Sequence, residues 1–291
     1  MSSKAKIFKD QGNEQFKAGD FKAAQDFYTQ AIRHDSSNLL LFTNRANARL
    51  RLNAWEDAID DCLSSIALDP TMKAYYYLAQ AQLALRHPNE ALSSALRAYE
   101  FCLDGGGGVG KGGAAGSTLT AISNLILTAK KEKWERRETD RLRRRGELVA
   151  ELEERLIAAR NLEVDAIRDR EYAREIGPAE ADEEIEIVEE LSRRKVEEVK
   201  DAFAFSHPDS APRREVPDYL VDSITFSIMH DPVVTKTGNS YDRATIIEHL
   251  RRSSTDPLTR EPLRMEDLRP NLALRQACDE FLEKNGWAVD W

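Results

Sequence analysis

Small and apolar residues recur with a long fixed period in the first part of the chain. The stretches GDFKAAQDFYTQAI, NAWEDAIDDCLSSI and RHPNEALSSALRAY superimpose so that Ala24, Ala58 and Ala91 coincide, at spacings of 34 and 33 residues. Gly12, Ala24, Tyr28 and Ala31 fit the pattern in the first copy. Ala46, Ala58 and Pro70 fit it in the second, and Ala79, Ala91, Ala95 and Ala98 in the third. Small residues let paired helices approach closely and larger apolar ones fill between pairs. The pattern therefore predicts a helical solenoid, with an ordinary helical bundle as the alternative. Pro70 follows a helix end, where its missing N–H does least harm.

The pattern changes after Leu119. From there to Arg170 there is no proline and a single glycine, Gly146. Val149, Leu152, Leu156 and Ala159 follow a 3-4-3 spacing among Glu and Arg, a seam for another helix. Gly177-Pro178 breaks the helix, and a second amphipathic segment carries Ile185, Val188, Leu191, Val196, Val199 and Phe203. A long antiparallel helical hairpin is expected, its seam also offering a dimer contact. SHPDSAPRREVP, residues 206–217, reads as a linker. Beyond it, short apolar runs flank Thr237-Gly238-Asn239, which suits a tight hairpin. Asp242 can cap a helix running through His249 and Leu250; Asn271 can cap a last helix that Gly286 ends.

Composition narrows the class. A net charge of −9 argues against general nucleic-acid binding, and the run RLRRR at 141–145 reads as a solvated helix face. Cys62, Cys102 and Cys278 are far apart and form no C-x-x-C pair, which argues against a disulfide framework or a zinc site and for a reducing compartment. With no apolar leader and no apolar run of about 18 residues, no secretion signal or membrane span is expected, and cytosol or nucleus is the expected location. GGGGVGKGG contains G-x-x-x-x-G-K, but Gly112 stands where a P-loop needs Ser or Thr, and a helix rather than a strand precedes it. It reads as a flexible loop.

A period of 33–34 residues is that of tetratricopeptide (TPR) helix pairs. The first helix of each pair lines the concave face, and those helices carry Lys9 and Asn13, then Asn44, then Lys73, Tyr76 and Gln80. Two ammonium groups with two amides make a receptor for carboxylates, such as a chain terminus with an acidic side chain beside it. Spacing alone favours a plain solvated face. The segments KDQGN, TNRA and KAYYYLAQ, however, resemble the carboxylate clamps of TPR co-chaperones. The resemblance implies binding of the acidic C-terminal tails of cytosolic heat-shock chaperones, with Lys9, Asn13, Asn44 and Lys73 as the clamp and Tyr76 and Gln80 flanking it. An acidic residue that assists such clamps has no counterpart in STLTAISN.

The order loop, hairpin, helix, loop, helix at the C-terminal end, with the segments YDRATI and PLTREPL, resembles a U-box, a RING-like fold without zinc. In that family hydrogen bonds, ion pairs and packing replace the metal cross-braces. Asp231, Ser240, Asp242, Arg243, Asp256 and Thr259 are able to supply them. No metal or cofactor is expected, and His230 and His249 are not read as ligands. The resemblance implies docking of a ubiquitin-charged conjugating enzyme on Ile224, Phe226, His249, Pro257 and Arg260, with no covalent intermediate on the ligase. From the residues alone, one of Ile224 and Phe226 would be core.

Nearly the whole chain thus resembles the CHIP-like family of chaperone-associated ubiquitin ligases, the glycine-rich insert around 105–116 being a departure from it. The fold expected is mainly α: a TPR domain of three repeats (1–103), a glycine-rich loop (104–118), a helical hairpin (119–204), a linker (205–216) and a small α+β U-box (217–291). The function implied is a dimeric ubiquitin-protein ligase and co-chaperone acting on misfolded clients, with a non-enzymatic dimeric scaffold as the alternative.

Overall fold

The computed structural model describes residues 3–104, 115–204 and 215–291. The glycine run and most of the proline-containing linker fall outside these residues. Six helices come first: α1 (Ser3–Ala18), α2 (Phe21–His34), α3 (Leu39–Arg51), α4 (Trp55–Leu68), α5 (Met72–Ala84) and α6 (Pro88–Leu103). Several open on a side chain that takes an otherwise orphaned N–H. Asp20 accepts from Ala23 at 2.9 Å, Asn38 from Leu40 at 3.1 Å and Thr71 from Ala74 at 3.3 Å. Pro88 opens α6, where no N–H is needed.

Ala24, Ala58 and Ala91 are all fully buried, as the repeat requires. At Gly12 an added Cβ would lie 2.6 Å from the Tyr28 ring, so only glycine lets α1 and α2 approach this closely. Between α3 and α4 the buried Asp61 carboxylate is held by Arg45 at 2.6 Å and Arg49 at 2.7 Å.

Two compact units are present. The first comprises Met1–Glu135 with Val216–Trp291, and the second is Arg136–Glu215. The helix α7 (Ala115–Tyr172) begins in the first unit; in the second, its part from Arg136 onward pairs with α8 (Pro178–Ala204). Glu153 meets Lys200 at 3.4 Å and Arg170 meets Glu184 at 2.7 Å, so the pair is antiparallel. Arg145 donates to the carbonyl of Phe203 and lies 5.5 Å from its ring centroid. Val149, Leu152 and Leu156 are half-buried, but Ala159 is exposed and the seam continues through Val164 and Ile167. A straight helix of 3.6 residues per turn drifts off a 3.5-residue repeat, which carries position 159 out of the contact.

The C-terminal region of the first unit holds β1 (Pro232–Val234), β2 (Ser240–Asp242), α9 (Arg243–Arg252), β3 (Arg269–Pro270) and α10 (Leu272–Lys284). The sheet order is β2-β1-β3, antiparallel throughout, with Val233 opposite Tyr241 and Val234 opposite Arg269. Gly238, at φ +89°, makes the hairpin turn as expected. Asp242 and Asn271 cap α9 and α10. Gly286 has a different reason from the one read in sequence. The last helix stops at Lys284 with Asn285 as its cap, and a Cβ on Gly286 would collide with Trp134. Trp134 in turn donates its indole N–H to the Lys284 carbonyl at 2.9 Å.

One continuous core runs from Tyr99 and Cys102 on α6 through Leu119, Ile122 and Ile126 at the start of α7 to Val233, Tyr241, Ile246 and Leu263. A second gathers Leu127, Leu220, Ile228, Met229, Cys278 and Leu282. Burial of these side chains fixes the frame on which the loops beside α9 stand.

Candidate functional site

The residues expected to form the clamp stand on α1, α3 and α5. The Oδ1 of Asn13 accepts from the Tyr28 hydroxyl at 3.0 Å and from Nδ2 of Asn44 at 3.3 Å. The carbonyl of Asn13 is thus occupied, and its NH2 is what it has left to offer a ligand. Burial pushes the Tyr28 phenol up to about 12, which keeps it a donor at neutral pH. The Asn13–Asn44 bond ties α1 to α3, and α3 packs against α5, which carries Lys73, Tyr76 and Gln80. Lys9, Tyr76 and Gln80 are half-buried and Lys73 is exposed. Among the described residues neither Lys9 nor Lys73 is ion-paired. Two cations and donor amides with no anionic partner suit a carboxylate ligand. The first turn of α7 carries no acidic residue. The Tyr28 contact, which orients Asn13, was not singled out in sequence as part of the site.

The second set of residues lies on two loops and α9. Ile224 is half-buried and packs against the core, whereas Phe226 is 72% exposed. Pro257 is half-buried and Arg260 exposed, and Leu258, not singled out in sequence, is 60% exposed. Phe226 and Arg260 both adopt left-handed backbone, at φ +57° and +61°. For residues other than glycine this costs roughly 1–3 kcal/mol and persists only where the surroundings impose it. His249, half-buried on α9, donates its Nε2–H to the Thr255 carbonyl at 2.9 Å and so holds the start of the second loop.

The cross-braces are carboxylates. Asp256, 1% exposed, accepts from Tyr241 Oη at 2.8 Å, Thr237 Oγ1 at 2.9 Å, and the N–H groups of Leu258 and Thr259 at 2.9 and 3.1 Å. Burial pushes its carboxyl up, but these donors outweigh burial and hold it well below the usual range. Asp242 accepts from the N–H groups of His230, Asp231 and Ala244 at 2.7–3.0 Å. There burial dominates and raises the pKa to about 6. Asp231 pairs with Arg243 at 2.5 Å and Arg275 at 3.8 Å. Of the groups named in sequence, Thr259 contributes chiefly through its backbone, and Ser240 accepts from Asn271 at 3.1 Å. Among the described residues there is no cluster of three or more His, Cys, Asp or Glu placed to hold a metal.

These loops present an exposed ring, an exposed aliphatic side chain and a guanidinium on a braced frame, which is the equipment of a docking surface.

A family model for the U-box domain matches residues 216–287. Over 291 aligned residues the chain is 31% identical to the E3 ubiquitin-protein ligase CHIP of Arabidopsis thaliana, covering 99% of this chain and 96% of that relative. It is 46% identical over 70 residues to Ubiquitin conjugation factor E4 of Schizosaccharomyces pombe, covering 24% of this chain and 7% of that relative. Among solved structures, the first TPR of Spaghetti (RPAP3) bound to the HSP90 peptide SRMEEVD aligns at 33% identity and a TM-score of 0.36, covering 43% of this chain and 95% of that one.

Proposed function

The chain belongs to the family of the E3 ubiquitin-protein ligase CHIP, and on that premise we propose how its two sites work together. The protein is a U-box ubiquitin ligase and co-chaperone. Lys9, Asn13, Asn44 and Lys73 receive the carboxylates of an acidic chaperone C-terminus, with Tyr76 and Gln80 alongside. Ile224, Phe226, His249, Pro257 and Arg260 form or support the surface on which a ubiquitin-charged conjugating enzyme docks. The ligase holds the thioester in a reactive pose, so a lysine of a misfolded client on the chaperone can attack it. That is catalysis by positioning.

The observation that carries this reading is the pair of loops that expose Phe226 and Arg260 in left-handed conformations on a frame braced by carboxylates. The proposal extends to a homodimer through the helical hairpin, where Leu148, Ile157, Leu162, Ile187 and Leu191 are exposed, and to a cytosolic or nuclear location. The test is a reconstituted ubiquitination reaction with a chaperone-bound unfolded client and a panel of conjugating enzymes. Client ubiquitination that an acidic tail peptide competes away is expected. A folded protein that discharges none of the panel would be a scaffold instead.

A further inference from the structure

The segments Asp222-Ser-Ile-Thr-Phe226 and Asp256-Pro-Leu-Thr-Arg260 place the same residue classes at the same spacing over most of their length, and the structure gives them the same backbone bonds. The N–H of Asp222 donates to the Ser227 carbonyl at 2.8 Å, and that of Asp256 to the Glu261 carbonyl at 2.8 Å. The N–H of Phe226 donates to the Asp222 carbonyl at 2.8 Å, and that of Arg260 to the Asp256 carbonyl at 2.9 Å. Each carboxylate accepts the N–H three residues on, at 3.1 Å in both loops. Each loop is closed by a bridge between the residue before the aspartate and the sixth after it, Val221 with Ile228 and Thr255 with Pro262. Phe226 and Arg260 are therefore equivalent positions of one turn used twice.

The two aspartates are anchored differently. Asp256 reaches the core through Tyr241. Asp222, fully buried, accepts the Asp242 N–H at 3.2 Å with one oxygen and both the N–H and hydroxyl of Thr225 with the other. It thereby fixes the backbone just before Phe226 to the first residue of α9's cap. Its carboxylate thus joins the cap of α9 to Thr225, the residue that precedes Phe226.

We infer that Asp222, acting through Thr225, is the positioning residue of the first docking loop, the counterpart of Asp256 in the second. The inference rests on the docking surface proposed above. It predicts an effect on capture of the charged conjugating enzyme and none on the transfer step once that enzyme is bound.

The experiment titrates a ubiquitin-charged conjugating enzyme against the full-length protein under multiple turnover. Asp222→Asn places an amide donor against N–H donors and should raise KM about tenfold at unchanged kcat. Thr225→Val removes one exposed-side hydroxyl, should lower the melting temperature by only a few degrees and should raise KM about threefold; Thr225→Ser should restore both. If Asp222→Asn fails to fold, the Thr225 pair decides. Wild-type KM in Thr225→Val, or a fall in kcat that Thr225→Ser does not rescue, would overturn the inference. An active wild type that loses docking in Phe226→Ala but not in the Asp222 and Thr225 variants refutes the positioning role alone. An inactive wild type refutes the ligase reading beneath it.

Discussion

The Tyr99 hydroxyl donates to Oδ2 of Asp231 at 3.0 Å, a buried bond between the last TPR helix and the strand-bearing U-box. The ring of Tyr99 also meets His230 edge-on, with centroids 5.2 Å apart. Tyr99→Phe keeps the ring and removes the donor. Asp231 retains Arg243, so the loss should be about 1 kcal/mol, the ordinary net value of one hydrogen bond. Because α6 and the sheet share a core, probes in the TPR and U-box parts should report that loss together in urea titrations. A shift confined to one probe would contradict this.

His230 makes the same junction sensitive to acid. It is 2% exposed, and among the described residues neither ring nitrogen has a hydrogen-bond partner. Burial, with Lys130 and Arg275 nearby, holds its pKa well below the usual 6.5. As pH falls below about 6.5, the unfolded chain takes up a proton that the folded chain does not, and stability drops by up to about 1.4 kcal/mol per pH unit. Asp242 acts in the opposite direction. Its raised pKa of about 6 gives a contribution fully present below the unfolded value of about 3.9 and lost as pH rises through about 6. His230→Leu removes only the first effect. Its stability relative to wild type should therefore climb as pH is lowered from about 6.5 to about 5. Denaturation curves that keep a constant offset across that range would refute the assignment.

What the sequence made legible follows from how local each constraint is. Ala24, Ala58 and Ala91 betray the repeat because close helix pairs need small residues at fixed intervals. Asp242 and Asn271 were readable as caps because a cap acts within three residues. Tyr99 with Asp231, and Trp134 with Gly286, were not readable: their partners are far apart in sequence, and no local pattern encodes which surfaces meet. Gly286 looked like a helix stop because that is glycine's commonest local role, while its actual reason is tertiary. Asp222 differs from these. The shared spacing of its segment and that of Asp256 was present in the sequence, but the match becomes meaningful only when the same backbone bonds are seen in both.

Lys73 tests the clamp. It is exposed on α5, so Lys73→Ala should leave the melting temperature nearly unchanged. Loss of a charge-assisted hydrogen bond costs about 1.5–3 kcal/mol, so affinity for an acidic chaperone-tail peptide should fall about tenfold or more. Added salt should weaken the wild type more than the variant, since the variant has one fewer cation to screen. Calorimetry showing equal affinity would move the peptide to another face.

Ile224 and Phe226 sit two residues apart on the first loop, yet their burial separates their roles. Ile224 packs against the core, whereas Phe226 is 72% exposed. Truncating a core aliphatic to alanine removes both transfer energy and packing, about 2 kcal/mol or more where the site cannot collapse. Truncating an exposed ring costs the monomer little, but as a docking anchor it can cost about 2 kcal/mol of binding, roughly thirtyfold in affinity. Ile224→Ala should therefore lower both the unfolding free energy and the affinity for the conjugating enzyme. Phe226→Ala should lower affinity alone. Both should bind the acidic tail peptide like wild type, because the clamp stands on α1, α3 and α5. Affinity is read by titrating the conjugating enzyme without ubiquitin and stability by urea denaturation of the same preparations. If Phe226→Ala is stable and binds the enzyme as tightly as wild type, the exposed ring is not an anchor, and the docking surface must be redrawn around Leu258 and Arg260.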